Sequence, residues 1–233
     1  MLLFEKIWKT VFKWLFLCSV LIFNNNVYSQ IKGGVVIIDS SMLKLKEVYY
    51  GDTVGVLREK YYYYNDSVKH GEYISYYEGG EINVRCVYMN GVLAGKYNSY
   101  WETGLMKEDI NYENGKREGE YYYYYNNGVL NIKGRYKGGL ENGKWEEYYE
   151  NENKMSEGEY KNGKRTGLWR YYYDSGELKS EGNYIEDNED GLWKYYTIEG
   201  KLYLEARYKK GLFDGTWVYY DDDGNILEKE EYR

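Results

Sequence analysis

A glycine returns every 24 residues along most of this chain: Gly71, Gly95, Gly119, Gly143, Gly167, Gly191 and Gly215. Two residues after each stands an aromatic, Tyr73, Tyr97 and Tyr121 and then Trp145, Trp169, Trp193 and Trp217. Counting the glycine as position 1, position 6 is tyrosine in all seven units: Tyr76, Tyr100, Tyr124, Tyr148, Tyr172, Tyr196 and Tyr220. Position 18 is also tyrosine throughout, from Tyr88 and Tyr112 to Tyr208 and Tyr232. Position 10 is glycine in six units of the seven. A fixed period of this kind over 163 residues defines a repeat architecture, in which each unit buries its apolar face against its neighbours.

Each unit is too short and too punctuated by glycine for a pair of helices. It divides into two runs of about seven residues, separated by turn sequences such as NNG, DSG, ENG and DDDG. Aromatic-rich runs bounded in this way are strands joined as hairpins. Proline, which removes a ladder donor, is absent from all 233 residues. In the second run, positions 12, 14, 16 and 18 are mostly apolar or small and positions 15 and 17 mostly polar, so one face is packed and the other wet. In the first run, positions 3 and 7 belong to the packed side, and the position-6 tyrosines point the other way unless a bulge shifts the register. The expected fold is an all-β, elongated antiparallel meander of 24-residue hairpins with about 14 strands or slightly more.

The fourth unit departs from the rule. Its turn, ENENKM, lacks the glycine, and Met155 stands one residue late before Tyr160 restores the phase. Residues 47–70 read as a degenerate first unit and residues 30–46 as an N-terminal cap, leaving 71–233 for the seven regular units.

Residues 1–29 are of another kind. Lys6, Lys9 and Lys13 precede the apolar run Trp14–Phe23, and Val27 and Ser29 set up a cut before Gln30. That is the order of a secretory signal peptide, and the ten-residue run falls short of the roughly 20 residues that span a bilayer. The expectation is an exported protein, periplasmic, surface-bound or secreted. Losing three lysines and one glutamate with the leader takes the net charge from −7 to −9. Such a chain has little to offer nucleic acid, whose affinity rests on neutralised phosphates, or an anionic membrane surface. The mature chain keeps one cysteine, Cys86, so no internal disulfide is expected.

The pattern G-x-W-x-x-Y-Y-x-x-G-x-L with a later Y-x-x-G, as in GLWRYYYDSGELKSEGNY and GKYNSYWETGLMKEDINYENGK, resembles the MORN repeat. More narrowly it resembles the variant found in bacterial proteins labelled as antitoxin or immunity components. The resemblance covers residues 71–233. It implies a hairpin-repeat fold and a role as an interaction scaffold, with protein, lipid or toxin partners.

Chemistry finds little footing. His70 is the only histidine, so any Cys–His nucleophile would need it against Cys86 and an orienting group. Cys86 occupies position 16, elsewhere filled by small inward residues such as Gly134, Gly158, Gly182 and Ala206. His70 falls at a turn position. The acidic clusters Glu186–Asp190 and Asp221–Asp223 lack the alternating ligands and distant bidentate glutamate of a calcium loop. No catalytic residue, metal site or cofactor is expected. The position-6 tyrosines remain. They recur about 9–10 Å apart along one face, either as rings that cover the sheet or as a binding stripe, since tyrosine is favoured at interfaces. The leading expectation is a non-enzymatic scaffold of the bacterial cell envelope that binds a protein partner. A carbohydrate or cell-wall binder and a toxin-neutralising immunity protein are the alternatives.

Overall fold

The computed structural model describes the backbone of residues 21–23, 26–31, 34–51 and 55–233, with side chains from Ser41 onward. The described chain is antiparallel β-structure with one short 3-10 turn, Ser40–Met42, and it divides into two compact units, residues 1–117 and 118–233. In the first, Leu21–Phe23, Asn26–Ile31 and Gly34–Asp39 form a three-stranded sheet. A meander follows, through Lys44–Tyr49, Leu57–Tyr64, Val68–Tyr76, Ile82–Met89, Val92–Tyr100 and Met106–Glu113, each paired with the next. The second unit continues the rule from Lys116–Tyr124 to Ile226–Tyr232.

Among the described residues the meander strands number eighteen, four more than the fourteen of the seven regular hairpins. The degenerate unit adds a full hairpin, and breaks at Asn142 and Asp214 split two strands into the pairs Leu140–Glu141 with Gly143–Tyr148 and Leu212–Phe213 with Gly215–Tyr220. The degenerate hairpin opens at Lys44, inside the segment expected to be cap. Its pairs Lys44↔Tyr63 and Tyr49↔Leu57 match Gly71↔Tyr88 and Tyr76↔Ile82 of the first regular unit. The leader expected over residues 1–29 lies largely outside the described residues.

Two turn devices make the period. The short hairpin at positions 20 and 21 uses two successive left-handed residues, as at Asn90 (φ 53°) and Gly91 (φ 80°), the geometry that a two-residue type I′ turn requires. The glycine of position 1 is left-handed in all seven units, between 65° at Gly167 and 91° at Gly71. It sits at a register shift such as that between Cys86 and Tyr88. A Cβ on Gly71, Gly143, Gly167 or Gly191 would meet nothing within 4 Å. Backbone conformation, rather than space, therefore demands glycine there.

The core is a zigzag of rings on one face. In the second unit the position-3 and position-18 aromatics alternate without a gap: Tyr121, Tyr136, Trp145, Tyr160, Trp169, Tyr184, Trp193, Tyr208, Trp217 and Tyr232 meet in sequence at centroid separations of 5.0–6.3 Å. Most of these pairs are edge-to-face, the arrangement that adds about 0.5–1.5 kcal/mol beyond burial. Trp169 and Trp193 are almost wholly buried. Their indole N–H groups donate to the carbonyls of Glu159 and Asn183, both at 3.2 Å. Position 16 provides the room: a Cβ on Gly134, Gly158 or Gly182 would lie 2.0–2.2 Å from the Trp145, Trp169 or Trp193 ring. Cys86 fills the same position against the smaller Tyr97, and burial pushes its thiol up to about 12.

One expectation about the faces is corrected. Every unit carries a bulge: position 5 pairs with position 14 and position 6 with position 12, so position 13 is an extra residue, as between Tyr171 and Tyr172. Position 12 is thereby turned away from positions 14, 16 and 18. Lys154, at position 12 of the fourth unit, shows this by bonding Glu146 and Glu157 on the face opposite the rings. The same unit keeps its phase, because Tyr148 pairs with Lys154 as Tyr172 pairs with Leu178. Met155 is simply the bulge residue.

Candidate functional site

Alternation from position 3 puts the position-6 tyrosines on the face opposite the ring core, where they share the surface with positions 4 and 15 and, because of the bulge, with position 12. All seven are half-buried. In the last three repeats their hydroxyls turn inward to the preceding repeat. Tyr172 donates to Glu157 at 2.8 Å, Tyr196 to Glu181 at 3.5 Å and Tyr220 to Glu205 at 3.0 Å. Each of these glutamates stands at position 15, next to a position-4 cation. Arg170 reaches Glu181 at 3.1 Å and Glu157 at 3.9 Å, and Lys194 reaches Glu205 at 3.7 Å. A tyrosine, a glutamate and a cation therefore recur in each of the last three repeats and link it to the one before.

The electrostatics follow from the geometry. Burial, and then the hydrogen bond to Glu157, pushes the Tyr172 phenol up to about 12. Burial followed by Glu181 and Glu205, respectively, raises Tyr196 and Tyr220. Glu157 is held below the usual carboxylate range, chiefly by the Lys154 hydrogen bond. At neutral pH the phenols are donors and the carboxylates charged acceptors, an arrangement stronger than a neutral hydrogen bond. The fourth unit adds a cluster: Lys154 bonds Glu146 at 2.9 Å and Glu157 at 2.7 Å, while Lys144 bonds Glu146 at 2.9 Å. Burial alone would raise Glu146, but the two lysines outweigh it and hold the carboxyl at about 2.

A second row, at position 7, fastens repeats together from the turn end. Tyr77 donates to the Tyr100 carbonyl, Tyr125 to Tyr148, Tyr149 to Tyr172 and Tyr173 to Tyr196, all at 2.8–2.9 Å. Tyr50 makes the same bond to Tyr76 at 2.7 Å. The accepting carbonyl is always that of a position-6 tyrosine, so the backbone beneath the stripe is held from the neighbouring unit.

The tyrosine row was legible in the sequence; its partners were not. Positions 15 and 4 read as generic polar sites, although a glutamate 15 residues before each of Tyr172, Tyr196 and Tyr220 was the available signal. His70 and Cys86 play separate parts. His70 is fully buried, its Nδ1 lies 3.3 Å from Asn90 Oδ1, and its Nε2 has no partner among the described residues. The acidic turns are engaged locally. Asp221 accepts from the backbone N–H groups of Asp223 and Asn225 at 3.0 and 2.8 Å, and Asp187 accepts from the N–H of Arg165 at 2.8 Å. Among the described residues no three His, Cys, Asp or Glu side chains are grouped to hold a metal ion, and no helix is long and apolar enough to cross a membrane.

Fold and surface together define a tandem β-hairpin repeat scaffold, held by ring packing within and between repeats and by tyrosine hydrogen bonds between them. A family model described as MORN repeat variant matches residues 69–90, 117–137, 141–162, 165–186 and 213–233. The chain is a MORN-repeat protein. The units around Gly95 and Gly191 lie outside the matched segments yet pair in the same register, Gly95 with Tyr112 and Gly191 with Tyr208. No curated protein matched the sequence.

Proposed function

We propose that the protein is a non-enzymatic scaffold of the cell envelope that binds a protein partner across its position-6 tyrosine face. The observation that carries this reading is the recurrence, in register, of half-buried tyrosines whose hydroxyls are already committed to Glu157, Glu181 and Glu205. Such rings are held in one rotamer before a partner arrives, which lowers the ordering cost of association. Tyrosine combines apolar area with a polar tip and is enriched at interfaces. The basic and apolar leader, Lys6 to Phe23, supports export.

The test is affinity capture from envelope extract with the wild type and with Tyr148, Tyr172 and Tyr196 each changed to Ser. A partner retained by the wild type and lost from the variants supports the reading. Retention on peptidoglycan or glycan with no protein captured replaces it with the carbohydrate reading.

A further inference from the structure

We propose that the groove between the turns of the third and fourth repeats receives a lysine or arginine side chain from an extended segment of the protein partner. The inference rests on the scaffold reading and names the chemistry of its recognition. The groove is open to solvent, has a volume of about 540 Å³ and is lined by two position-6 tyrosines, Tyr124 and Tyr148, by Asn127, Gly128 and Val129 of the third turn with Leu130 of the strand after it, and by Glu152 of the fourth turn. Tyrosine faces attract cations, and a carboxylate beside them completes the site.

Glu152 is the distinctive element. It stands at position 10 with φ 69°, where the other six units place Gly80, Gly104, Gly128, Gly176, Gly200 and Gly224 at 81–102°. A side chain in this conformation is strained, and strain of this kind gathers at functional sites. The turn that carries it is tightly held. Asn151 and Asn153 donate their side-chain amides to the Asp174 carbonyl at 2.6 and 2.8 Å, and the Glu152 N–H donates to the Tyr149 carbonyl at 3.0 Å. The groove wall is equally fixed, since the Tyr148 carbonyl accepts from Tyr125 at 2.8 Å and from Asn131 at 3.1 Å.

Charge supplies the complement. Of the lysines of this repeat, Lys144 and Lys154 are bound to Glu146 and Glu157, and Lys164 to Glu186. No hydrogen bond or ion pair among the described residues engages the Glu152 carboxylate. An unpaired carboxylate on a groove lined by two tyrosines, in a chain of net charge −7, calls for a cation from outside.

The probe is a fluorescein-labelled Gly-Ser peptide carrying three arginines, titrated into the full chain by fluorescence anisotropy beside its citrulline counterpart. The wild type is expected to bind the arginine peptide and to leave the citrulline peptide near background. Glu152→Gly, which installs the residue of the sister units, and Glu152→Gln should each weaken arginine binding about tenfold. Asp222→Asn, in a turn distant in sequence and 87% exposed at its side chain, should leave it unchanged. Equal losses from Glu152→Gly and Asp222→Asn, or equal binding of the two peptides, would overturn the proposal. If a captured partner is lost on Tyr172→Ser but survives Glu152→Gly with undiminished affinity, the scaffold reading stands and the groove proposal falls. If the arginine peptide binds through Glu152 while no protein is captured, the groove stands and the scaffold reading falls.

Discussion

Gly182→Ala tests the ring core at its tightest point. The added Cβ would lie 2.1 Å from Trp193 Cδ2, 2.3 Å from Cε2 and 2.4 Å from Cγ, against the 3.5–4.0 Å of an ordinary carbon contact. Trp193 must retreat by well over 1 Å, yet it is 3% exposed and closed in by Tyr184 at 5.1 Å and by Tyr171, Tyr195 and Tyr208 at 6.2–6.3 Å. Overpacking of this kind costs about 1–3 kcal/mol. Loss of the Trp193 hydrogen bond to the Asn183 carbonyl adds about 1 kcal/mol. Against this, alanine restricts the unfolded chain by about 0.4–1 kcal/mol. The balance is a destabilisation of about 2–3 kcal/mol, read as a lowered urea midpoint by circular dichroism. Trp193→Tyr in the same background should recover part of the loss, because Cys86 shares this position with Tyr97. A measured coupling of about 1 kcal/mol or more between the two sites would show it. A Gly182→Ala variant as stable as the wild type, or more so, would refute the argument that the indole dictates the glycine.

Three further outcomes follow from individual residues. Glu152→Gly should stabilise the chain by about 0.5–1 kcal/mol, since relief of the left-handed strain exceeds the entropy glycine adds to the unfolded state. Glu152→Ala, which keeps the strain, should show no such gain in the same urea titration. Tyr149→Phe and Tyr173→Phe each remove one bond to the next repeat and should each cost about 1 kcal/mol, with faster amide exchange in the units they join. His70 gives a pH signature. Burial lowers its pKa from 6.5, against a smaller opposing effect of Asn90. The unfolded chain therefore binds the proton first, and stability falls as pH drops from about 6.5 through the folded value. Denaturation midpoints at pH 7.5 and pH 5 should diverge in the wild type and converge in His70→Gln.

The hairpin period and the inward rings at positions 3 and 18 were legible because they depend on residue type at fixed spacing, and Gly, Tyr and Trp are conspicuous there. The two faces of the second strand were only half legible. Alternation places Leu178 with Ser180 and Gly182, but the extra residue at position 13 turns it to the other side. Position 13 carries no common signal, being Asn83, Lys107, Asn131, Met155, Lys179, Tyr203 and Leu227 across the units. The hydrogen-bonded setting of the stripe stayed hidden because it depends on pairing between repeats: Glu157 pairs with Arg170, which brings it beside Tyr172. The degenerate hairpin was displaced by three residues in the sequence reading because its loop, Tyr50 to Val56, is longer than in the regular units. Its closing bond, from the Tyr50 N–H to the Val56 carbonyl, identifies the turn all the same.

The central claim, that a partner meets the position-6 tyrosine face, can be tested by photocross-linking from neighbouring sites on opposite faces. Benzoylphenylalanine replaces Tyr172, on the outer face, or Tyr171, whose hydroxyl lies 3.2 Å from that of Tyr184 among the core rings. The two sites are adjacent in sequence, so labelling efficiency differs only through the side of the sheet. The account predicts cross-links to a protein partner from position 172 and none from 171. Cross-links from 171 alone, or equally from both, would contradict it.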